Sequence, residues 1–292
     1  MKKNGKENLT IEKALIAFAL MFVVLTAIRF VQVAAGIDAA TGFFKASSPL
    51  HGLFYALVIV CGAFLALYSY FSKPAGELQT IGYRSVPMMI MAALLVVAFG
   101  LDGWTSLQAV RELRVAGGDF RTRMSSGELP LLLRGVFALL SAPYFAALGY
   151  SYRTGSMHAA KWRIPALFPI CWAAFRMVHH FVRKISFTKV SDLFFELLML
   201  GAMMLFFMAF ASVTSGIYSD GTNWRLCGFG LPAALIAGML SLPRMVFTLV
   251  DKNAYINPNH PLQPADCLIF CFVLLLCVTA LRRKQTAPAD AA

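Results

Sequence analysis

VSDLFFELLMLGAMMLFFMAFASVTSGI, residues 190–217, is the stretch whose reading decides the fold. From Leu197 to Ala211 it holds no polar side chain, and its only charges are Asp192 and Glu196 near the start. A helix rises 1.5 Å per residue, so about 20 apolar residues cross a hydrocarbon core of about 30 Å. A strand at that depth would need a closed barrel and an alternation of polar with apolar residues, which this run lacks. The stretch therefore reads as a membrane-spanning helix.

Working outward, similar runs occupy residues 12–34, 50–72, 86–110, 130–152, 165–184, 227–250 and 264–282, which makes eight expected spans. The span at 165–184 is the weakest, because Arg176, His179 and His180 interrupt it. Composition agrees: 59% of the 292 residues are hydrophobic and 14% charged, against about 25% charged in a soluble domain. Mean hydropathy is +0.69. The expected fold class is all-α, a polytopic membrane protein with one integral-membrane domain over residues 1–284 and a short disordered tail at 285–292. The lipid bilayer is its expected partner, and oligomeric state cannot be read from the sequence.

The formal charge of +12 does not point to nucleic acid, since the basic residues sit in short loops and at both ends. There they act as orientation signals. The segments on the side of the termini carry more Lys and Arg than the opposite loops, which favours cytoplasmic termini in a cell membrane. Lys2, Lys3, Lys6 and Lys13 precede the first run, which is too long for a signal-peptide core and contains Arg29, so it reads as an uncleaved span. The six cysteines lie in apolar runs without a CxxC pair and read as small hydrophobes.

Echoes recur along the chain. Arg29-Phe30-Val31, Arg176-Met177-Val178 and Arg244-Met245-Val246 share a pattern of arginine, bulky apolar residue and valine. Pro49-Leu50, Pro130-Leu131 and Pro261-Leu262 lie at or just before even-numbered spans, and Tyr68-Ser69-Tyr70 and Tyr150-Ser151-Tyr152 close two of them. Four diverged copies of one two-helix hairpin would explain the agreement. Such copies keep one orientation and are related by an axis along the membrane normal.

The chemistry converges on one end of the expected bundle. Odd spans bring Arg29, Asp102, Arg176, His179, His180 and Arg244, and even spans begin there with His51, Arg134, Asp192, Glu196 and Asp266. Charges inside a membrane are costly, roughly 2.5–3.5 kcal/mol each on insertion scales, so they mark function or a packed polar interior. Asp192 and Glu196 share a helix face, as do Arg176 and His180, and Glu196 is expected to pair with Arg176. With Asp266 expected nearer the surface, the arginines would be in surplus. Arg29, Arg176 and Arg244 would then surround an anion, because guanidinium forks bind carboxylate or phosphate at two points. The candidate ligand-binding set is thus Arg29, Asp102, Arg134, Arg176, His180, Asp192, Glu196 and Arg244.

Catalytic signatures are sparse. His179-His180 lacks the HExxH spacing, no glycine-rich phosphate loop occurs, and no metal or cofactor is expected. Thr214-Ser215-Gly216 reads as a helix end capped by glycine. Three function classes stay open: a transporter or permease for a small solute, with an anion as the favoured case; a non-catalytic membrane sensor or assembly partner; and a membrane-embedded enzyme on a lipid-linked substrate, with Asp192, Glu196 and His180 as acid/base candidates. Helices broken at Pro169, Pro232 or Pro243 would favour the first, a closed and fully paired layer the second.

Overall fold

The computed structural model of the chain describes residues 3–36, 49–72, 82–115, 126–182, 190–217, 222–250 and 262–286, together with 117, 119 and 123. Eight α-helices and no strand occur among the described residues: α1 (Lys3–Gly36), α2 (Pro49–Ser72), α3 (Val86–Val115), α4 (Glu128–Thr154), α5 (Phe168–Val182), α6 (Val190–Thr214), α7 (Thr222–Leu249) and α8 (Pro264–Thr286). Each expected span falls on one of them. Six, α1–α4, α6 and α7, are long and apolar enough to cross a membrane. The short α5 and the apolar stretch Pro264–Thr279 of α8 fall below that length. The architecture is a membrane helical bundle. Of the tail expected to be disordered at 285–292, residues 285 and 286 continue α8 and the rest lie outside the described residues.

One helix organises the bundle. α7 is the most buried of the long helices and packs against α1, α2, α6 and α8. Small residues permit this. A Cβ on Gly238 would come within 2.6 Å of the Phe22 ring and 2.8 Å of Phe270, so only glycine lets those stacked rings reach the helix. In the same way Gly103 and Gly135 let α3 and α4 approach closely, where a Cβ on Gly103 would lie 2.6 Å from Leu139. Close backbone approach through small residues substitutes for the hydrophobic drive that lipid does not supply between helices.

Pro232, Pro243 and Pro169 offered places where a helix could break; α7 runs through the first two, and Pro169 is the second residue of α5. The reason is local. Proline is tolerated in the first turn, and inside a membrane bundle neighbouring helices and small adjustments re-satisfy the freed carbonyls. The expected helix end at Thr214-Ser215-Gly216 is present: α6 stops at Thr214, and Gly216 has φ 70°.

An aromatic cluster fills the middle of the bundle. Phe99 stacks on Phe145 at 5.1 Å and meets Trp172 edge-on at 4.9 Å, and Phe272 packs edge-on against Phe145 and Phe210. Its members come from α3, α4, α5, α6 and α8 and are fully buried or nearly so. This cluster is the floor on which the polar layer rests.

Candidate functional site: a buried ion-pair layer

Two helical periodicities set the site. Near their C-terminal ends α1, α5 and α7 carry Arg29, Arg176 and Arg244, and near their N-terminal ends α6 and α8 carry Asp192, Glu196 and Asp266. Consecutive helices that run antiparallel bring those ends together. Asp102 on α3 and Arg134 near the start of α4 complete the layer. All eight of these charged residues are buried, and all eight are paired.

Arg176 is the centre. It is completely buried and forms a two-point fork with Asp266, Nη1 to Oδ1 at 2.6 Å and Nη2 to Oδ2 at 2.8 Å. Its Nη2 also donates to Glu196 Oε1 at 2.5 Å, the pair expected from the sequence. His180 Nε2 lies 3.3 Å from the same oxygen, and Arg244 Nη2 lies 3.6 Å from Glu196 Oε2. One carboxylate on α6 is therefore faced by two residues of α5 and one of α7. Charge-assisted bonds of this kind are about twice as strong as neutral ones, and the two-point fork fixes the angle as well as the distance.

The flanks follow the same logic. Arg29 Nη2 donates to Asp192, one turn before Glu196, while its Nη1 donates to Gln32 Oε1 at 3.2 Å. Its guanidinium sits 5.6 Å from the Phe195 ring centroid, close enough for a cation–π contact. On the other side Arg134 binds Asp102 through both Nη2 and Nε, and Nη2 also reaches Gln263 Oε1 at 3.2 Å. Trp172 Nε1 donates to Asp102 Oδ2 at 2.7 Å, while its ring faces the Arg176 guanidinium at 5.6 Å. Tryptophan suits this boundary, because its indole is apolar toward Phe99 and a hydrogen-bond donor toward the carboxylate.

The structure corrects one expectation here. Asp266 is not near the surface; it is buried, 3% exposed, and holds both terminal nitrogens of Arg176. It is the third residue of α8, and the rotation of that helix about its own axis turns it inward. Four arginines therefore meet four carboxylates, and the expected surplus of positive charge does not exist. The three repeated arginines do converge, but on two carboxylates of α6. His179 points away from this centre, to the carbonyl of Gly127, which accepts its N–H at 3.3 Å. Gly127 has φ 83°, and a Cβ there would lie 3.0 Å from His179 Nδ1, so glycine is required twice over.

Sequence reading missed Trp172, Gln32 and Gln263. Trp172 precedes Arg176 by one turn and Gln32 follows Arg29 by three residues, so helical spacing could have found both. Gln263 lies outside any helix and left no such signal. Arg114 and Arg123 belong to a separate surface group around Glu128, at 2.6 and 3.7 Å. Compared with family models, curated proteins and solved structures, the chain matches none.

Proposed function

We propose that the protein is a permease for a small polar solute, and that the buried ion-pair layer closes one end of its helical bundle. The observation that carries this reading is the reach of the layer: seven of the eight helices, all but α2, contribute to it at one end. The middle of the bundle is held by aromatic and small-residue packing instead. Small residues alone could join these helices at lower cost than eight desolvated charges. Ion pairs differ from apolar packing in one useful respect: water entering the layer can replace each bond, so the seal can reopen.

All eight helices then span the membrane, α5 and α8 included, with both termini cytoplasmic in a cell membrane. A reporter active only in the cytoplasm, fused to either end, reads that orientation. The helix pairs are taken as four copies of one hairpin, on the recurring Arg29-Phe30-Val31, Arg176-Met177-Val178 and Arg244-Met245-Val246.

A second reading, a non-catalytic sensor or assembly partner, is favoured by the balance of four arginines against four carboxylates and by the unbroken α7. An enzymatic reading gains least, because Asp192 and Glu196 are both held by guanidinium groups. Side-dependent labelling separates permease from static bundle. In a cysteine-free background, a single cysteine at the buried Thr26 should react with a membrane-impermeant maleimide from the interior of oriented vesicles in one population and from the exterior in another. Labelling from one side only, or from neither, would contradict the permease.

A further inference from the structure

Four guanidinium groups and four carboxylates make the layer neutral, and those residue types keep their charge near neutral pH. Arginine stays protonated, and carboxylates ordinarily titrate well below neutrality. Histidine is the side chain whose ordinary range of charge change lies between about pH 5 and 8. One histidine reaches the layer at its centre. His180, with its side chain 10% exposed, sets Nε2 3.3 Å from Glu196 Oε1, the same oxygen that Arg176 Nη2 meets at 2.5 Å.

The charged neighbours of His180 come from several helices. On α5 itself Arg176 stands one turn back, and the His179 ring lies 6.2 Å away but turns to the carbonyl of Gly127. α5 packs against α4, α6 and the 3₁₀ turn Pro165–Leu167, which carries no charge. From α6 come Glu196, in contact, and Asp192, which Arg29 holds. At this end of α4 stand Glu128 and Arg134, held by Arg114 and Asp102. Arg244 of α7 faces Glu196, and Asp266 of α8 is forked by Arg176.

A proton on His180 therefore changes the balance of the whole layer. A carboxylate oxygen can only accept, so in the neutral ring the hydrogen belongs on Nε2 and the proton is taken up at Nδ1. One N–H bond forms, one O–H bond of hydronium breaks, and water leaves; release to water runs the same exchange backwards. The imidazolium adds a positive charge where charges otherwise cancel. It stands four residues from Arg176 on one helix face, where like charges repel. Glu196 attracts it, but that carboxylate is already met by Arg176 and Arg244, so the cost of desolvating the added charge remains. Water entering an open layer removes that cost and screens the repulsion. The open layer thus binds the proton more tightly, and by linkage the proton favours opening.

We infer that passage through this bundle is coupled to protons, with His180 carrying the coupling: proton uptake opens the ion-pair layer and proton release closes it. The inference rests on the permease reading. The test is pulsed electron–electron distance measurement on the full chain in nanodiscs, in a cysteine-free background. Spin labels sit at the exposed Val178 on α5 and Val246 on α7, and samples at about pH 8 and about pH 5.5 bracket the histidine range. On acidification the ratio of long to short distances should rise at least about twofold, the lower limit set by like charges four residues apart on a helix. His180→Gln, which cannot titrate in this range, should make the ratio equal at both pH values, and His180→Asn serves if that variant does not fold. His179→Gln should leave the response intact. Two distances whose ratio ignores pH, a response that survives His180→Gln, or one lost equally in His179→Gln would overturn the coupling and leave the permease standing. A single distance at both pH values would overturn the coupling and the permease together.

Discussion

Replacing Arg176 with leucine is expected to abolish the folded protein. The guanidinium is fully buried and makes both hydrogen bonds to Asp266 and one to Glu196. Without it Asp266 loses the fork that holds it, and Glu196 loses its shortest contact, with Arg244 and His180 standing further off. Breaking a single buried pair costs about 3–5 kcal/mol because the remaining charge stays desolvated, and here two carboxylates are stranded together. A fluorescent fusion followed through size-exclusion chromatography should show the monodisperse peak lost. Arg114→Leu is the comparison. That arginine also pairs with a carboxylate, Glu128, but its side chain is 53% exposed, so the loss should be under about 1 kcal/mol. The decisive arm is the neutral quadruple variant, Arg176→Leu and Arg244→Leu with Glu196→Gln and Asp266→Asn. Removing both arginines together with both carboxylates leaves none of these four groups without its counter-charge, so folding should return in part. If the quadruple variant is no better than Arg176→Leu alone, the arginine serves packing and not charge.

The second large effect concerns α3 and α4, the most extensively packed helix pair of the bundle. Asp102→Asn should destabilise by about 3–5 kcal/mol. Arg134 would retain a neutral amide and Gln263 but no carboxylate. The exchange of both residues, Asp102→Arg with Arg134→Asp, restores the pair in reverse. Recovery should be incomplete, because Trp172 Nε1 now donates to the carboxylate at position 102 and would face a guanidinium instead. A hydrogen bond to a charged group contributes about 1.5–3 kcal/mol, and that is the shortfall expected in thermal unfolding. Full recovery would mean that the indole bond contributes nothing.

Much of this arrangement could be read from the chain because membrane helices announce themselves. An apolar run of fixed length allows one structure, so residues 190–217 and their counterparts located all eight helices before any geometry was known. Spacing of four residues put Asp192 and Glu196 on one face and aimed Arg176 at Glu196 across a short turn. The depth of Asp266 was not legible. Three residues into α8, it could have faced headgroups or the interior equally well, and only the rotation of the helix about its own axis decides. That rotation is set by packing, through contacts such as Gly230 against Val273 and Gly238 against Phe270, which have no local signature. The error carried consequences, since one misplaced aspartate turned a neutral layer into an anion pocket. The prolines were not legible for a related reason: their effect on a helix depends on what neighbouring helices offer the freed carbonyls.

The central claim is that the ion-pair layer opens and closes. It is tested most directly by pulsed electron–electron distance measurements between spin labels at Val31 on α1 and Val178 on α5. Both positions are exposed, and each lies two residues beyond an arginine of the layer. In nanodiscs the account predicts two distance populations, one short and one longer, with the longer population growing in Glu196→Gln, which weakens the link between α5, α6 and α7. A single distance, unchanged by Glu196→Gln in folded protein, would contradict it and leave the layer as a permanent brace.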